Sequence, residues 1–218
     1  MKDKRYERAG MLPFRVEECY RKLVESIRAG RLSDQPGQFP RDEHAAKWAG
    51  YLAHYVADNT QPHHATIDYQ SQTYFAHKRN APRVHFEMEF RLVDDEHADF
   101  PQTRALYWDA FDAALKTVED LVQTDDLWQA TCEVSLLSYD ALPLIGLAAM
   151  HAAAQAGTPD KPQGPAAEKF DTEAFFRFKG SYLGRDMTVA EMKAHQQAWA
   201  VKRIEKLWRK AWDEASAE

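Results

Sequence analysis

Apolar positions recur every three or four residues along most of the chain, the spacing typical of helices with one buried face. The first such pattern covers residues 13–29, starts at a proline suited to a first helical turn, and ends at Gly30. A stretch rich in Ser, Asp, Gly and Pro, residues 32–40, predicts a loop. A second helical pattern then runs from Asp42 to about Asn59. The chain is thus predicted to begin with two amphipathic helices.

The middle of the chain alternates helical patterns with breakers. Pro62 ends the second helix, because proline lacks a backbone donor and disfavours helical geometry at the preceding residue. Residues 65–82 are polar without a clean period and predict a long loop. Helical patterns return over residues 84–92, 101–123 and 127–155. Pro143 predicts a kink or a break inside the last of them.

The C-terminal region combines a Gly/Pro-rich loop at 156–166 with an amphipathic helix at 188–215. Thr188-Val-Ala-Glu191 has the spacing of a capping box at the start of that helix. The chain has no strand-rich region and no internal repeat. We therefore expect an all-α fold, a multi-helix bundle, in a single domain over residues 1–218.

Composition narrows the class of protein. With 218 residues and 44% hydrophobic side chains, the chain can fill one sizeable core. A net charge of −6 argues against broad coating of nucleic acid. No long uncharged apolar run and no signal-like start are present, so we expect a soluble chain with no transmembrane segment and no export address. Cys19 and Cys132 are interpreted as buried free thiols, with one disulfide as the alternative, so the redox compartment stays open.

The histidines carry the chemistry, since seven of the nine lie between His44 and His97. In two windows a histidine precedes a carboxylate by four residues, which places both side chains on one helical face. A further histidine, His64, stands two residues after Pro62, and we expect a turn to present it. The five candidate zinc ligands are His54, Asp58, His64, His85 and Glu89. Zinc takes imidazole and carboxylate ligands and keeps one position open in catalytic sites, so the pattern indicates a hydrolase.

The alternative to a zinc site is that these histidines are structural, because a single histidine on a helix is more often a packed or solvated residue than a ligand. Two His-x-x-x-acid pairs with a histidine between them are harder to attribute to chance. His44 is interpreted as solvated helix surface. A carboxylate-bridged di-iron bundle is disfavoured, because its Glu-x-x-His spacing is absent from the candidate residues.

The run His54-Tyr-Val-Ala-Asp-Asn-Thr-Gln-Pro-His-His64 resembles a known signature, His-x-x-x-Asp-x-x-Gln-Pro-Leu-His. That signature belongs to the zinc-dependent phospholipase C and single-strand-specific nuclease superfamily. His85-x-x-x-Glu89 is similar to the later ligand pair of the family, and Gly10-Met-Leu-Pro-Phe to the entry of its bacterial members. The resemblance covers about residues 9–92. One departure is His63, which stands where the family usually has leucine.

The resemblance implies an all-helical fold of the zinc-dependent phospholipase C and nuclease type, with up to three zinc ions in complete members. His64, His85 and Glu89 would hold one ion. His54 and Asp58 would ligate a second, with Asp58 bridging toward a third and thereby acting as the catalytic residue. The family's upstream ligands have no counterpart before His54, so we expect a bacterial member that lacks the N-terminal part and binds one or two zinc ions.

The expected function is a zinc-dependent phosphodiester hydrolase, phospholipase C-like, that cleaves with a metal-activated water. A single-strand-specific nuclease is the alternative, and a truncated, non-catalytic zinc-binding helical domain is the second. The substrate would be a phospholipid headgroup or single-stranded nucleic acid. Most aromatic side chains near the site are interpreted as core or rim packing, with stacking on bases or lining of an acyl-glycerol groove as the alternative: Tyr55, Tyr69, Tyr74, Phe75 and Phe86. A basic stripe on the terminal helix is interpreted as a solvated face, with transient membrane-surface contact as the alternative. The resemblance implies an extracellular or periplasmic location if the full gene supplies a signal.

Overall fold

The computed structural model describes residues 10–31, 39–75, 83–94, 100–157 and 170–217, and helices dominate this part of the chain. The helices are α1 (Leu12–Arg31), α2 (Phe39–Thr60), α3 (Val84–Glu89), α4 (Pro101–Thr117), α5 (Leu127–Tyr139), α6 (Leu142–Gln155), α7 (Thr172–Arg177) and α8 (Val189–Ser216). Short 3₁₀ helices cover Pro62–Ala65 and Gln72–Tyr74, and strands β1 (Lys179–Tyr182) and β2 (Arg185–Thr188) form a hairpin. The predicted helical character is confirmed.

The chain forms two compact units. Unit 1 comprises residues 1–60, 119–135 and 199–218, and unit 2 comprises residues 61–118 and 136–198. The single-domain organisation expected from the sequence stays a prediction. So does the particular type of helical bundle.

Unit 1 has a core formed by α1, α2 and the second half of α8. Its buried side chains follow the helical period on each element: Val16, Cys19, Tyr20, Leu23, Val24, Leu52, Val56, Leu207, Ala211 and Ala215. Asp120 fixes the loop before α5 to α8, because its carboxylate accepts hydrogen bonds from Trp199 Nε1, at 3.1 Å, and from Arg203, at 2.9 Å. Cys19 and Cys132 are both buried and carry thiols rather than a disulfide, which confirms the interpretation from sequence.

Unit 2 is built around α6, which carries no charged side chain and buries most of its length. The buried residues around it come from α3, α4, α7, β1 and the first turns of α8: Val84, Met88, Tyr107, Phe175, Phe176, Tyr182, Val189 and Met192. This core supports α3, which has only six residues. A helix of that length is not stable alone, so its packing determines where its side chains lie.

Three element boundaries differ from expectation. Helix α4 ends at Thr117 rather than near residue 123, because Val118 adopts an extended conformation and Asp120 accepts a hydrogen bond from Val122 N in a local turn. The break predicted at Pro143 is confirmed, with the chain leaving helical geometry between α5 and α6 and proline standing in the first turn of α6. Helix α2 begins at Phe39, inside the predicted loop.

The β-hairpin was not predicted. Its two strands are antiparallel, with Tyr182 opposite Arg185, and a two-residue turn joins them. Both turn residues, Leu183 and Gly184, have positive φ angles of 50° and 72°. Such angles match the twist of paired strands, but leucine rarely adopts them, so the turn leaves little signal in the sequence.

Several expected segments fall outside the described residues. They are residues 32–38 of the first loop, residues 76–82 of the second, and residues 158–166 of the Gly/Pro-rich loop. The terminal helix spans Val189–Ser216, one residue later at each end than expected.

Residues Leu127–Gln155 form the one stretch, within the described part of the chain, that is long and apolar enough to cross a membrane. Of its most apolar part, 56% is buried inside the protein. Core helices of folded domains can be equally long and apolar, and this stretch is broken between α5 and α6. It argues only weakly for a membrane span.

Candidate metal centre

The turn after α2 presents His64. Gln61 caps the 3₁₀ helix, because its side-chain oxygen accepts a hydrogen bond from His63 N at 2.7 Å, and Pro62 occupies the first turn. The backbone N of His64 donates to Gln61 O at 3.0 Å. The prediction that a turn delivers His64 is confirmed.

Helix α3 presents the other two members of the cluster. Val84 and Met88 point into the core of unit 2, which leaves His85 and Glu89 together on a partly exposed face one turn apart. The backbone N of His85 donates to Gln70 Oε1 at 3.2 Å, so the loop after His64 caps the start of the helix.

The three side chains converge on one carboxylate oxygen. His64 Nε2 and His85 Nε2 each lie 3.0 Å from Glu89 Oε1. The two imidazole rings stack, with centroids 5.0 Å apart, and the three potential ligand atoms all lie within 4.8 Å of one another. Among the described residues this is the one group of three or more such side chains that could hold a metal ion.

This donor set fits zinc. Two imidazoles and one carboxylate are a known catalytic combination, with a fourth position left for water. Ligand atoms on a tetrahedral zinc are roughly 3.4 Å apart at zinc–ligand distances of about 2.1 Å. The separations of 3.0 Å from Glu89 Oε1 to both imidazole nitrogens are close to that value. The third pair, the two imidazole nitrogens, lies within 4.8 Å, so small side-chain adjustments would bring all three separations to that value.

His63 lies directly behind the cluster. Its side chain is 1% exposed, and its Nε2 is 3.1 Å from the Oγ atom of Ser71, which is 2% exposed. Burial, reinforced by the neighbouring His85 and His64, lowers the pKa of His63 to about 3, so the ring is neutral at physiological pH. Because both partners are buried, the pair cannot act as a nucleophile and base on an external substrate. Its geometry is that of a structural link.

Residues 66–75 form an ordered loop beside the cluster. The carboxylate of Asp68 accepts hydrogen bonds from Gln72 N at 2.7 Å and from the N and Oγ atoms of Thr73 at 3.0 and 2.6 Å. Burial opposes ionisation of Asp68, but these hydrogen bonds outweigh it and lower its pKa. The expected long loop is therefore locally structured up to Phe75, where the described part ends.

The aromatic residues expected near the site divide by location. The ring of Tyr69 meets that of His85 edge-on at 6.2 Å, and Tyr69 is 55% exposed. The ring of Tyr74 lies where Gly146 has no side chain, Phe75 packs against the core, and Phe86 pairs with Phe90. Tyr55 belongs to unit 1. Tyr69 is thus the exposed ring beside a candidate ligand.

The other two candidate ligands belong to unit 1, near the end of α2. His54 Nε2 lies 3.3 Å from Asp58 Oδ2, and the side chain of His54 is 63% exposed. The i, i+4 pairing is as expected from the sequence. Their assignment to a second zinc ion, and the catalytic role of Asp58, stay predictions. His44 is exposed, in line with its interpretation as helix surface.

Sequence reasoning did not find the groups that support α3 from behind. Glu87 is buried, accepts a hydrogen bond from Thr172 Oγ1 at 3.1 Å, and pairs with Arg91. Lys193 is also buried and donates to the backbone carbonyl of Arg91. The signal in the sequence was slight: one lysine following Met192 within the apolar face of α8.

No protein-family model, curated protein or solved structure matches this chain. The likeness to the zinc-dependent phospholipase C and nuclease superfamily accordingly rests on its motif residues.

Proposed function

We propose that this protein is a zinc-dependent phosphodiester hydrolase whose zinc is held by His64, His85 and Glu89. The observation that carries the proposal is the convergence of two Nε2 atoms on Glu89 Oε1, each at 3.0 Å. The signature around Pro62 supports the same reaction class by resemblance. The side chains of His64 and Glu89 are 26% and 28% exposed, so a substrate can approach them.

Three residues of the site would bind zinc, and the surrounding turn, helix and loop would hold them in position. A bound zinc lowers the pKa of its water toward neutrality and polarises a phosphoryl oxygen. His64 and His85 would bind the ion through Nε2 and Glu89 through Oε1. The turn at Pro62 and α3 hold these atoms in place. The loop that Asp68 closes by hydrogen bonds carries Tyr69 beside His85, where its ring can contact the group attached to phosphorus.

The two activities that the resemblance implies, phospholipase C-like and nuclease, differ in the group that leaves the phosphorus. A phospholipase C-like activity is the first candidate, because the net charge of −6 disfavours long polyanions. A single-strand-specific nuclease is the second, and the exposed ring of Tyr69 beside His85 favours it, because nucleobases stack on such rings. Both share the same phosphodiester chemistry at the same three residues.

The test compares zinc-loaded parent protein with Glu89→Gln and His64→Ala proteins. Glu173→Gln is the matched control, since Glu173 lies in the same unit and pairs with Arg177 on the surface. Hydrolysis would be measured on a chromogenic phosphodiester, on short-chain phosphatidylcholine and on single-stranded DNA.

We expect the parent and the control to hydrolyse the chromogenic diester and at least one natural substrate, and both site variants to lose activity at least tenfold. Zinc-loaded parent that cleaves none of the three would contradict hydrolysis and leave the non-catalytic zinc domain as the function. Equal activity in parent and Glu89→Gln would contradict the site.

A further inference from the structure

Two buried imidazole nitrogens beside the candidate metal centre have no hydrogen-bond partner among the described residues: His63 Nδ1 and His85 Nδ1. The two rings are neighbours, with centroids 5.7 Å apart and planes inclined at 45°. A buried polar atom without a partner is costly, so two of them side by side call for a chemical reason.

If His85 binds zinc, its second ring nitrogen requires a hydrogen-bond acceptor. A histidine that binds a metal through Nε2 keeps its proton on Nδ1 and donates it to an outer partner, which fixes the orientation of the ring. His85 directs Nε2 toward Glu89 Oε1, at 3.0 Å. Its Nδ1 proton therefore needs an acceptor, and within the described part of the chain none bonds to it.

The neighbouring ring can supply that acceptor. Nε2 of His63 faces Ser71 Oγ at 3.1 Å, and a neutral imidazole that donates from Nε2 has a free lone pair on Nδ1. We propose that His63 is a positioning residue of the metal centre. It donates a hydrogen bond from Nε2 to Ser71 and, when zinc is bound, accepts at Nδ1 a hydrogen bond from Nδ1–H of His85, through one water or after a small rotation of the ring. The two Nδ1 atoms do not bond to each other in this structure, but a centroid separation of 5.7 Å keeps the rings close enough for one water or a small rotation to join them.

The same residue joins the two segments that carry the ligands. His63 precedes His64 in the turn, and its partner Ser71 follows Gln70, whose side chain accepts the backbone N–H of His85. The link from His64 to His85 therefore runs through His63, Ser71 and Gln70. The resembled family usually has leucine at this position. Leucine fills the space but can neither donate nor accept a hydrogen bond.

This inference rests on the proposed zinc site but not on hydrolysis, so its test measures zinc affinity and stability. His63→Leu removes both functions of the ring. His63→Asn keeps a side-chain oxygen close to where the imidazole carries Nδ1. His195→Leu is the matched control, because His195 lies in the same unit, packs against Tyr182 and also has a buried Nδ1 without a partner.

The zinc dissociation constant would be measured by chelator competition for each protein, together with the Tm of the metal-free form. We expect His63→Leu to weaken zinc binding by about 10- to 100-fold, the usual effect of losing an outer partner of a ligand. His63→Asn should recover part of that loss, and His195→Leu should bind zinc like the parent. The metal-free Tm of His63→Leu should fall, because buried Ser71 loses its hydrogen-bond partner, so zinc affinity is compared among proteins that are folded at the assay temperature.

Parent-like zinc affinity in His63→Leu would overturn the inference, as would equal weakening in His195→Leu. A parent protein that binds no zinc would overturn the proposed function instead, which keeps the two failures apart. Ser71→Ala provides a second variant if His63→Leu does not fold. It should weaken zinc binding through loss of the fixed tautomer, and parent-like affinity in that variant would count against the inference.

Discussion

Lys193 shows how one residue behind the site affects the stability of unit 2. Its ammonium group donates to the carbonyl of Arg91 and lies 5.7 Å from the ring centroids of both Tyr107 and Phe176. Burial lowers the pKa of Lys193 to about 7, although the charges of Glu87 and Glu89 oppose the shift. The folded protein therefore holds this proton less tightly than the unfolded chain, in which lysine keeps its ordinary pKa.

The sign of the resulting pH dependence follows from proton linkage. Between pH 7 and the ordinary lysine pKa, the unfolded state binds more protons at this position, so the free energy of unfolding should rise with pH. Replacing Lys193 by Met should remove that contribution, whereas Lys116→Met, an exposed control, should keep it. Urea unfolding of the metal-free proteins from pH 7 to 10 measures the difference. Identical pH slopes in parent and Lys193→Met would contradict the shifted pKa.

At the level of elements, the short helix α3 depends on its neighbours, and the loop before it depends on α6. The ring of Tyr74 occupies the space left by Gly146, where an added Cβ would lie 2.3 Å from the nearest ring atom. Tyr74 closes the 3₁₀ turn that follows Ser71, so this contact fixes the loop whose residues bond to His63 and His85.

Gly146→Ala should therefore destabilise the protein and weaken zinc binding together. Overpacking of this kind costs about 1–3 kcal/mol, and the displaced ring would move the loop at Ser71. Gly50→Ala is the control, because nothing lies within 4 Å of its Cβ position on α2. There the change should stabilise the helix, by up to about 1 kcal/mol. Chemical denaturation with and without zinc checks both results, and a stable Gly146→Ala protein would be contrary to the packing described.

The capping box of α8 offers a second test at this scale. Thr188 N donates to Glu191 Oε2 at 2.6 Å, and Glu191 N donates to Thr188 Oγ1 at 3.1 Å. Thr188→Ala should lower the free energy of unfolding by about 1 kcal/mol, because it leaves a helix N-terminus without its cap. Thr117→Ala, at the exposed end of α4, should change it by less. If thermal unfolding shows that Thr188→Ala and Thr117→Ala lower the free energy of unfolding equally, the cap adds no stability of its own.

Local signals explain what could be predicted from the sequence. The capping box, the break before Pro143 and the turn at Pro62 depend on neighbouring residues and were predicted. The end of α4 depends on Asp120 meeting Trp199 and Arg203, which are about eighty residues away. The hairpin depends on Leu183 adopting a positive φ. The link from His63 to Ser71 likewise needs a folded loop, so no spacing rule could reveal it.

At the scale of the whole molecule, each unit has its own core, and the motif residues are shared between the units. His54 and Asp58 belong to unit 1, and His64, His85 and Glu89 belong to unit 2. The proposed zinc site is complete in its three protein ligands within unit 2. It therefore accounts for one bound ion without any contribution from unit 1, whereas a second ion would require the predicted role of His54 and Asp58.

The zinc content of purified protein after exhaustive dialysis tests the central claim most directly. Elemental analysis of the parent should find at least one zinc per chain, and Glu89→Gln should retain one fewer than the parent, with Glu173→Gln unchanged. A parent free of zinc, or a Glu89→Gln protein that retains as much zinc as the parent, would contradict the assignment of His64, His85 and Glu89 as a metal centre.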